Sequence, residues 1–262
     1  MIDLLSAYFD KNNFYPKPKI KLQLKKTNRS KIPYLNEISN IDCMEGLKKI
    51  PDESVNLLIA DPPYGISQTL NCKGQRLGTT AKLDFDFGEW DESSLDWCPI
   101  ALKKTKGWAV IFCSKRNIGK YWDIMEKMKF IAIDALVWQK PDPVPLNGKT
   151  KFLNAWEAAV IGKRSGGHFG GYCTHNIFKY QAPKGKTRIH PTQKPIGLIQ
   201  EIIELTTKEN DIVLDPFMGS GTTAVAAKLA NRRFIGFEID SKFCKKARSR
   251  VKKTEKSLLV FI

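Results

Sequence analysis

Ile212-Val213-Leu214-Asp215-Pro216-Phe217-Met218-Gly219-Ser220-Gly221-Thr222-Thr223 passes from an apolar run through a glycine-bearing turn into a helical pattern. A short apolar run bounded by a turn reads as a strand buried on both faces. Gly219 and Gly221 let the backbone turn tightly and come close to a ligand. The helix expected over residues 221–230 opens with unpaired N–H groups, and the strand expected over 233–238 ends in Glu238. Strand, G-x-G turn, helix, strand and acidic end, in that order, form half of a nucleotide-binding α/β sheet. Such an acidic end is placed to accept hydrogen bonds from ribose hydroxyls. Ala224 stands at the third glycine position, where alanine is tolerated, so this half alone does not exclude a dinucleotide.

A second apolar run, Val55 to Ala60, ends in Asp61-Pro62-Pro63-Tyr64. This too reads as the end of a buried parallel strand. A nucleobase amine is a poor nucleophile because its lone pair is delocalised into the ring. A catalyst that accepts both N–H hydrogens pulls the nitrogen toward tetrahedral geometry and frees that lone pair. Asp61 supplies one acceptor and a backbone carbonyl of the Asp61-Pro62-Pro63 turn the other. Two prolines stiffen the turn, so the acceptors reorganise little during reaction. Tyr64 offers a stacking face, worth ~1–3 kcal/mol for a base. Taken alone, Pro-Pro-Tyr is only a strand exit; its partnership with the G-x-G unit gives it chemical meaning.

Between and around these segments the pattern alternates strand and helix. Strands are expected over 34–41, 54–60, 108–113, 131–138 and 155–162. Helices are expected over 43–50, 93–104, 118–128 and 196–206, with a basic helix from Ser241 and a last strand over 258–262. Residues 1–31 are lysine-rich and broken by Pro16 and Pro18, which reads as a loosely held basic arm. Residues 65–96 have little periodicity and read as a long mobile loop. Residues 139–189 are rich in proline and glycine and read as an insertion able to address a substrate.

The 262 residues suffice for one sizeable domain, and 42% hydrophobic content supports a packed core. A formal net charge of +16 favours a polyanionic partner, because clustered Lys and Arg displace counterions from nucleic acid. Two basic stretches, 17–31 and 242–256, are candidates for phosphate contacts. The six cysteines, Cys43, Cys72, Cys98, Cys113, Cys173 and Cys244, form no C-x-x-C pair and read as reduced thiols of a cytoplasmic protein. No metal is expected: the Cys173-Thr174-His175 group near His168 lacks zinc-site spacing. No apolar stretch reaches membrane-spanning length.

Asp61-Pro-Pro-Tyr together with Asp215-Pro-Phe-Met-Gly-Ser-Gly resembles the amino-methylating DNA methyltransferases. The motif order, with the clamp first and the G-x-G turn last, is similar to the circularly permuted beta class. His190-Pro-Thr-Gln-Lys-Pro195 resembles that class's third signature. The resemblance runs from about Tyr34 to Arg250. It implies an α/β, Rossmann-like methyltransferase fold, circularly permuted, with a mixed, mostly parallel seven-stranded sheet and helices on both faces. Asp61, Pro62, Pro63 and Tyr64 would form the catalytic clamp. Asp215, Phe217, Gly219, Gly221 and Glu238 would bind S-adenosylmethionine, Asp42 would meet its adenine, and His190 and Thr192 would line its methionine end.

By the same resemblance, an aspartate opening the clamp points to adenine N6 in a base flipped out of double-stranded DNA. Insertion 139–189 would read the target, and loop 65–96 would either close on the base or be a plain disordered loop. A homodimer and a cognate restriction endonuclease are partners the resemblance admits. Cytosine-N4 or RNA methylation and a catalytically silent nucleic-acid-binding protein are the competing readings. A protein-glutamine methyltransferase fits less well, since that family places G-x-G first.

Overall fold

The computed structural model describes residues 32–64, 95–143, 149–150, 152–185, 188–190 and 192–259. The basic arm and residues 65–94 of the long loop lie outside them.

The first strand, β1 (Glu37–Ser39), is shorter than its apolar pattern suggests. Tyr34 and Asn36 have φ near +60°, which a pleated strand does not accommodate. Helix α1 (Cys43–Lys49) leads to β2 (Val55–Ala60), and α2 (Trp97–Lys104) to β3 (Thr105–Cys113). Then come α3 (Ile118–Lys127), β4 (Ile131–Gln139), β5 (Trp156–Lys163) and β6 (Ile177–Lys179). The chain closes with α4 (Ile196–Thr206), β7 (Ile212–Asp215), α5 (Thr222–Leu229), β8 (Arg233–Phe237) and α6 (Ser241–Leu259). Residues 258 and 259, expected in a final strand, are the last residues of α6.

Among the described residues, eight strands join one sheet in the order β1-β8-β7-β2-β3-β5-β4-β6. Each pairing is parallel except the two made by β5. The expectation of seven strands is corrected by β6, a three-residue edge strand that pairs Val137 with Ile177 and Gln139 with Lys179. Its sequence is too short to carry a period. The expected permutation is borne out. The strand bearing Asp215 comes late in the chain, yet it lies beside β2, the strand bearing Asp61, in the middle of the sheet.

Alternation along the central strands feeds two cores. Trp108, Val110 and Phe112 join Leu57, Ile59 and Val213 on the face covered by α4, α5 and α6. Ala109, Ile111 and Cys113 join Leu58, Ala60 and Leu214 on the face covered by α1, α2 and α3. All four residues of β7 are buried. A strand covered on both faces must be apolar throughout, which is why Ile212-Val-Leu reads as an unbroken run. Its C-terminal end and that of β2 open toward the same side, at the point where the connections diverge.

Candidate active site

The ends of β2 and β7 frame a solvent-open cleft. Asp61, His190, Thr192, Asp215, Phe217 and Gly219 all line it, so six predicted residues from three distant segments share one space. Lys194, Ser220, Thr222 and Thr223 line it as well.

On the β7 side, Gly219 has φ +51° and Gly221 φ +80°, both left-handed. Gly221 caps α5 without a side-chain bond, so the first N–H groups of that helix stay available to a ligand. Arg250 of α6 holds the turn from outside. Its guanidinium donates to the Ser220 carbonyl at 3.1 Å and to Thr222 Oγ1 at 3.1 Å. Asp215 is buried and accepts from the Phe217 N–H at 2.9 Å. Burial pushes its carboxyl up to about 7, against the opposing bonds from Thr223 and Phe217. The Phe217 ring stands edge-on to Trp97, centroids 4.9 Å apart.

Glu238 does not line the cleft, but its carboxylate is tied to the turn that does. Oε2 accepts from the Gly219 N–H at 2.6 Å and Oε1 from the Asp240 N–H at 2.8 Å. Burial raises its pKa, partly offset by those backbone bonds. Asp42 is placed differently. Its side chain caps α1, accepting from the Met44 N–H at 2.8 Å, and it is not among the lining residues. Gly221 is not among the lining residues; it lies against Ala247 of α6.

On the β2 side, the clamp residues are arranged around Asp61. The Tyr64 hydroxyl donates to Asp61 Oδ1 at 2.6 Å, and Lys194 Nζ donates to Oδ2 at 2.6 Å. Pro62 is buried, and Tyr64 packs against the core on the α4–α6 face. Burial, then the Asp61 and Glu157 charges, lifts the Tyr64 phenol well above its ordinary value, so it remains a hydrogen-bond donor. His190 stacks edge-on against Phe243 of α6 at 4.4 Å, and its Nδ1 lies 3.1 Å from Thr192 Oγ1. Burial lowers the His190 pKa, favouring the neutral ring.

The group that residue-type reasoning missed is ionic. Lys194 Nζ also contacts Glu157 Oε2 at 3.2 Å, and Lys140 Nζ pairs with Glu157 Oε1 at 2.6 Å. The Lys194 side chain is only 5% exposed. Burial works to lower its pKa, but Asp61 and Glu157 overcome that and hold it above the usual lysine value. Lys194 stands in the His190-Pro-Thr-Gln-Lys-Pro195 signature, the one signal that pointed to it. Glu157 and Lys140 carry no motif.

Chemically, the cleft offers a glycine turn with free N–H groups, buried carboxylates and an aspartate at a rigid strand exit. That set can hold a cationic nucleoside cofactor on one side and a hydrogen-bond-donating amine on the other.

Comparison with known proteins agrees with this geometry. The DNA methylase family matches residues 55–168 and 162–249 of this chain. Type II methyltransferase M.HinfI of Haemophilus influenzae is 34% identical over 256 residues, covering 84% of this chain and 69% of the relative. Type II methyltransferase M2.DpnII of Streptococcus pneumoniae is 31% identical, covering 84% and 92%. Among solved structures, M1.HpyAVI in complex with SAM superposes with a TM-score of 0.64 at 30% identity, covering 81% of this chain and 98% of that one. The chain belongs to the DNA methylase family, the amino-methylating DNA methyltransferases.

Proposed function

We propose that this DNA methyltransferase transfers a methyl group from S-adenosylmethionine to the N6 amino group of adenine. The observation that carries the reading is the shared cleft. Asp61 at the end of β2 and the Gly219 turn at the end of β7 line one space, as a two-substrate transfer requires. Holding both reactants in one geometry can supply ~7–11 kcal/mol of the barrier.

The residues present fit the cofactor. The Gly219–Gly221 turn and the open start of α5, together with Asp215, Thr192 and His190, would receive its methionine portion, and Glu238 its ribose hydroxyls. S-adenosylmethionine supplies a methyl on a sulfonium, whose positive charge makes the leaving group good. The chain's own task is orientation. Asp61 accepts one amine N–H, a carbonyl of the Pro62-Pro63 turn accepts the other, and Tyr64 stacks on the base.

Adenine is favoured over cytosine because Asp, rather than Ser, opens the clamp at position 61. The fold alone does not separate the two. The PvuII DNA methyltransferase, titled cytosine-N4-specific, superposes with a TM-score of 0.61 at 18% identity. Double-stranded DNA is the substrate we favour, with the base turned out of the helix. The 139–189 stretch would take part in reading the target, a homodimer or a cognate restriction endonuclease would be its partner, and the cytoplasm its place of work. Asp42 keeps a proposed place near the cofactor adenine through the β1–α1 turn. No described helix is long and apolar enough to cross a membrane.

The test is direct. Purified protein methylates plasmid DNA, and the digested nucleosides are weighed. N6-methyladenine with wild-type protein and none with Asp61→Ala is the expected result, while the variant still binds cofactor. N4-methylcytosine alone would replace the adenine reading. Undiminished transfer by Asp61→Ala would remove the clamp.

A further inference from the structure

Four charged side chains form a line from the surface of the β4–β5 pair to the clamp. Lys140, just past the end of β4, pairs with Glu157 at the start of β5; Glu157 touches Lys194; Lys194 holds Asp61. The signs alternate, so the line carries no net charge. Lys194 is deeply buried, and Lys140 and Glu157 are largely so, with side-chain exposures of 16% and 23%. Lys194 also lies over the Phe112 ring at 4.9 Å and the Tyr64 ring at 5.6 Å. Burial and two ion pairs restrict the rotamers of this lysine relative to those of a surface lysine.

The consequence falls on Asp61. A carboxylate at a strand exit is otherwise free to rotate about its side-chain bonds. With Lys194 fixed on Oδ2, that rotation is lost and Oδ1 is the oxygen presented toward Tyr64. We propose that Lys194 is a positioning residue of the methyl-transfer site, fixing the Asp61 carboxylate so that Oδ1 receives the substrate amine, and that Glu157 in turn fixes Lys194. Lys140 anchors the far end of the line. The inference rests on the methyltransferase reading and deepens it, because it concerns how the acceptor is aimed rather than whether it is used.

A second physical effect separates this role from mere packing. Lys194 puts a positive charge into the cleft that would hold a sulfonium. Removing it should strengthen binding of the cationic cofactor relative to its neutral thioether product, since like charges in a partly dry cleft repel. A collapsed site would weaken both ligands together.

The experiment compares wild type, Lys194→Met, Lys194→Arg, Glu157→Gln and Asp61→Ala. Binding of S-adenosylmethionine and S-adenosylhomocysteine is measured by calorimetry, melting by scanning fluorimetry, and methyl transfer to DNA by steady-state kinetics. For Lys194→Met we expect kcat to fall about 10²-fold, the size typical of losing one preorganised polar contact, with little change in KM for DNA. Its affinity ratio for the cationic over the neutral ligand should rise about threefold or more. Lys194→Arg should recover part of kcat, and Glu157→Gln should lower kcat about 10-fold with thioether affinity unchanged.

The proposal is overturned if Lys194→Met turns over within threefold of wild type. It is equally overturned if both ligands lose affinity in parallel with rate. Should Lys194→Met fail to fold, Glu157→Gln decides: a wild-type kcat in that variant overturns the proposal. Undiminished transfer by Asp61→Ala is a different failure, since it would dismiss the clamp itself.

Discussion

Gly221→Ala is the substitution whose cost the structure specifies most fully. Gly221 has φ +80°, and a methyl group there would sit 2.9 Å from the Ala247 Cβ and 3.1 Å from its Cα. Two penalties therefore combine. A left-handed backbone costs a non-glycine residue ~1–2 kcal/mol. Crowding a methyl against a buried helix costs ~1–3 kcal/mol more. Ala247 is fully buried in α6 and cannot simply swing aside. The total, about 2–5 kcal/mol, corresponds to a melting temperature lower by about 4–20 °C for a domain of this size. Gly219→Ala is the internal control. Its φ is +51°, but the nearest atom to an added methyl is the Phe217 carbonyl oxygen at 3.9 Å. Only the backbone penalty applies, about 1–2 kcal/mol.

Thermal melts of both variants read the difference. The double variant Gly221→Ala/Ala247→Gly isolates the collision, since it removes the nearer of the two Ala247 carbons. A double-mutant cycle, which itself subtracts the ~1 kcal/mol cost of glycine within a helix, should return a favourable coupling of about 1 kcal/mol or more. If Gly221→Ala melts no lower than Gly219→Ala, or if the coupling is nil, the packing of α6 under the turn is not as described.

Asp215 gives a pH signature. Its folded-state pKa, raised to about 7 from 3.8 by burial, means the folded protein binds its proton more tightly than the unfolded chain. Stability from this group is thus greatest below the unfolded value and declines as pH rises from about 4 to about 7. Melting temperatures of Asp215→Asn across that range should lose this component, and an unchanged slope would refute it. Arg250→Ala should loosen the turn, costing ~1.5–3 kcal/mol for charged hydrogen bonds and weakening cofactor binding; equal affinity in a calorimetric titration would count against that role. DNA binding should weaken steeply with salt, because the +16 formal charge implies several neutralised phosphates; a flat plot of log affinity against log salt would contradict this.

The parts of this molecule that were legible in its sequence are those governed by local pattern. Helix α4 follows Pro195 and ends at Thr206, matching the expected 196–206, because proline sets its start and apolar spacing carries it through. The two strand exits were legible because β2 and β7 are buried on both faces and end in turns with distinctive residues. Residues whose role is set by distant partners were not. Glu157 and Lys194 are 37 positions apart, and nothing near either says that they meet. Strand β6 is held by its neighbour β4, not by its own three residues. Tyr34 and Asn36 lie inside the expected 34–41 strand, yet a left-handed backbone at both delays the start of β1 to Glu37.

Both oxygens of Asp61 are already satisfied by Tyr64 and Lys194 before any amine arrives. An incoming N–H therefore exchanges with a bond that exists instead of adding one, and such exchanges are nearly neutral in free energy. The clamp would then contribute little to how long a base stays and much to what happens while it is there. A wrong base could visit as often as the right one and leave unmodified, so fidelity at this step would be read in turnover and not in occupancy.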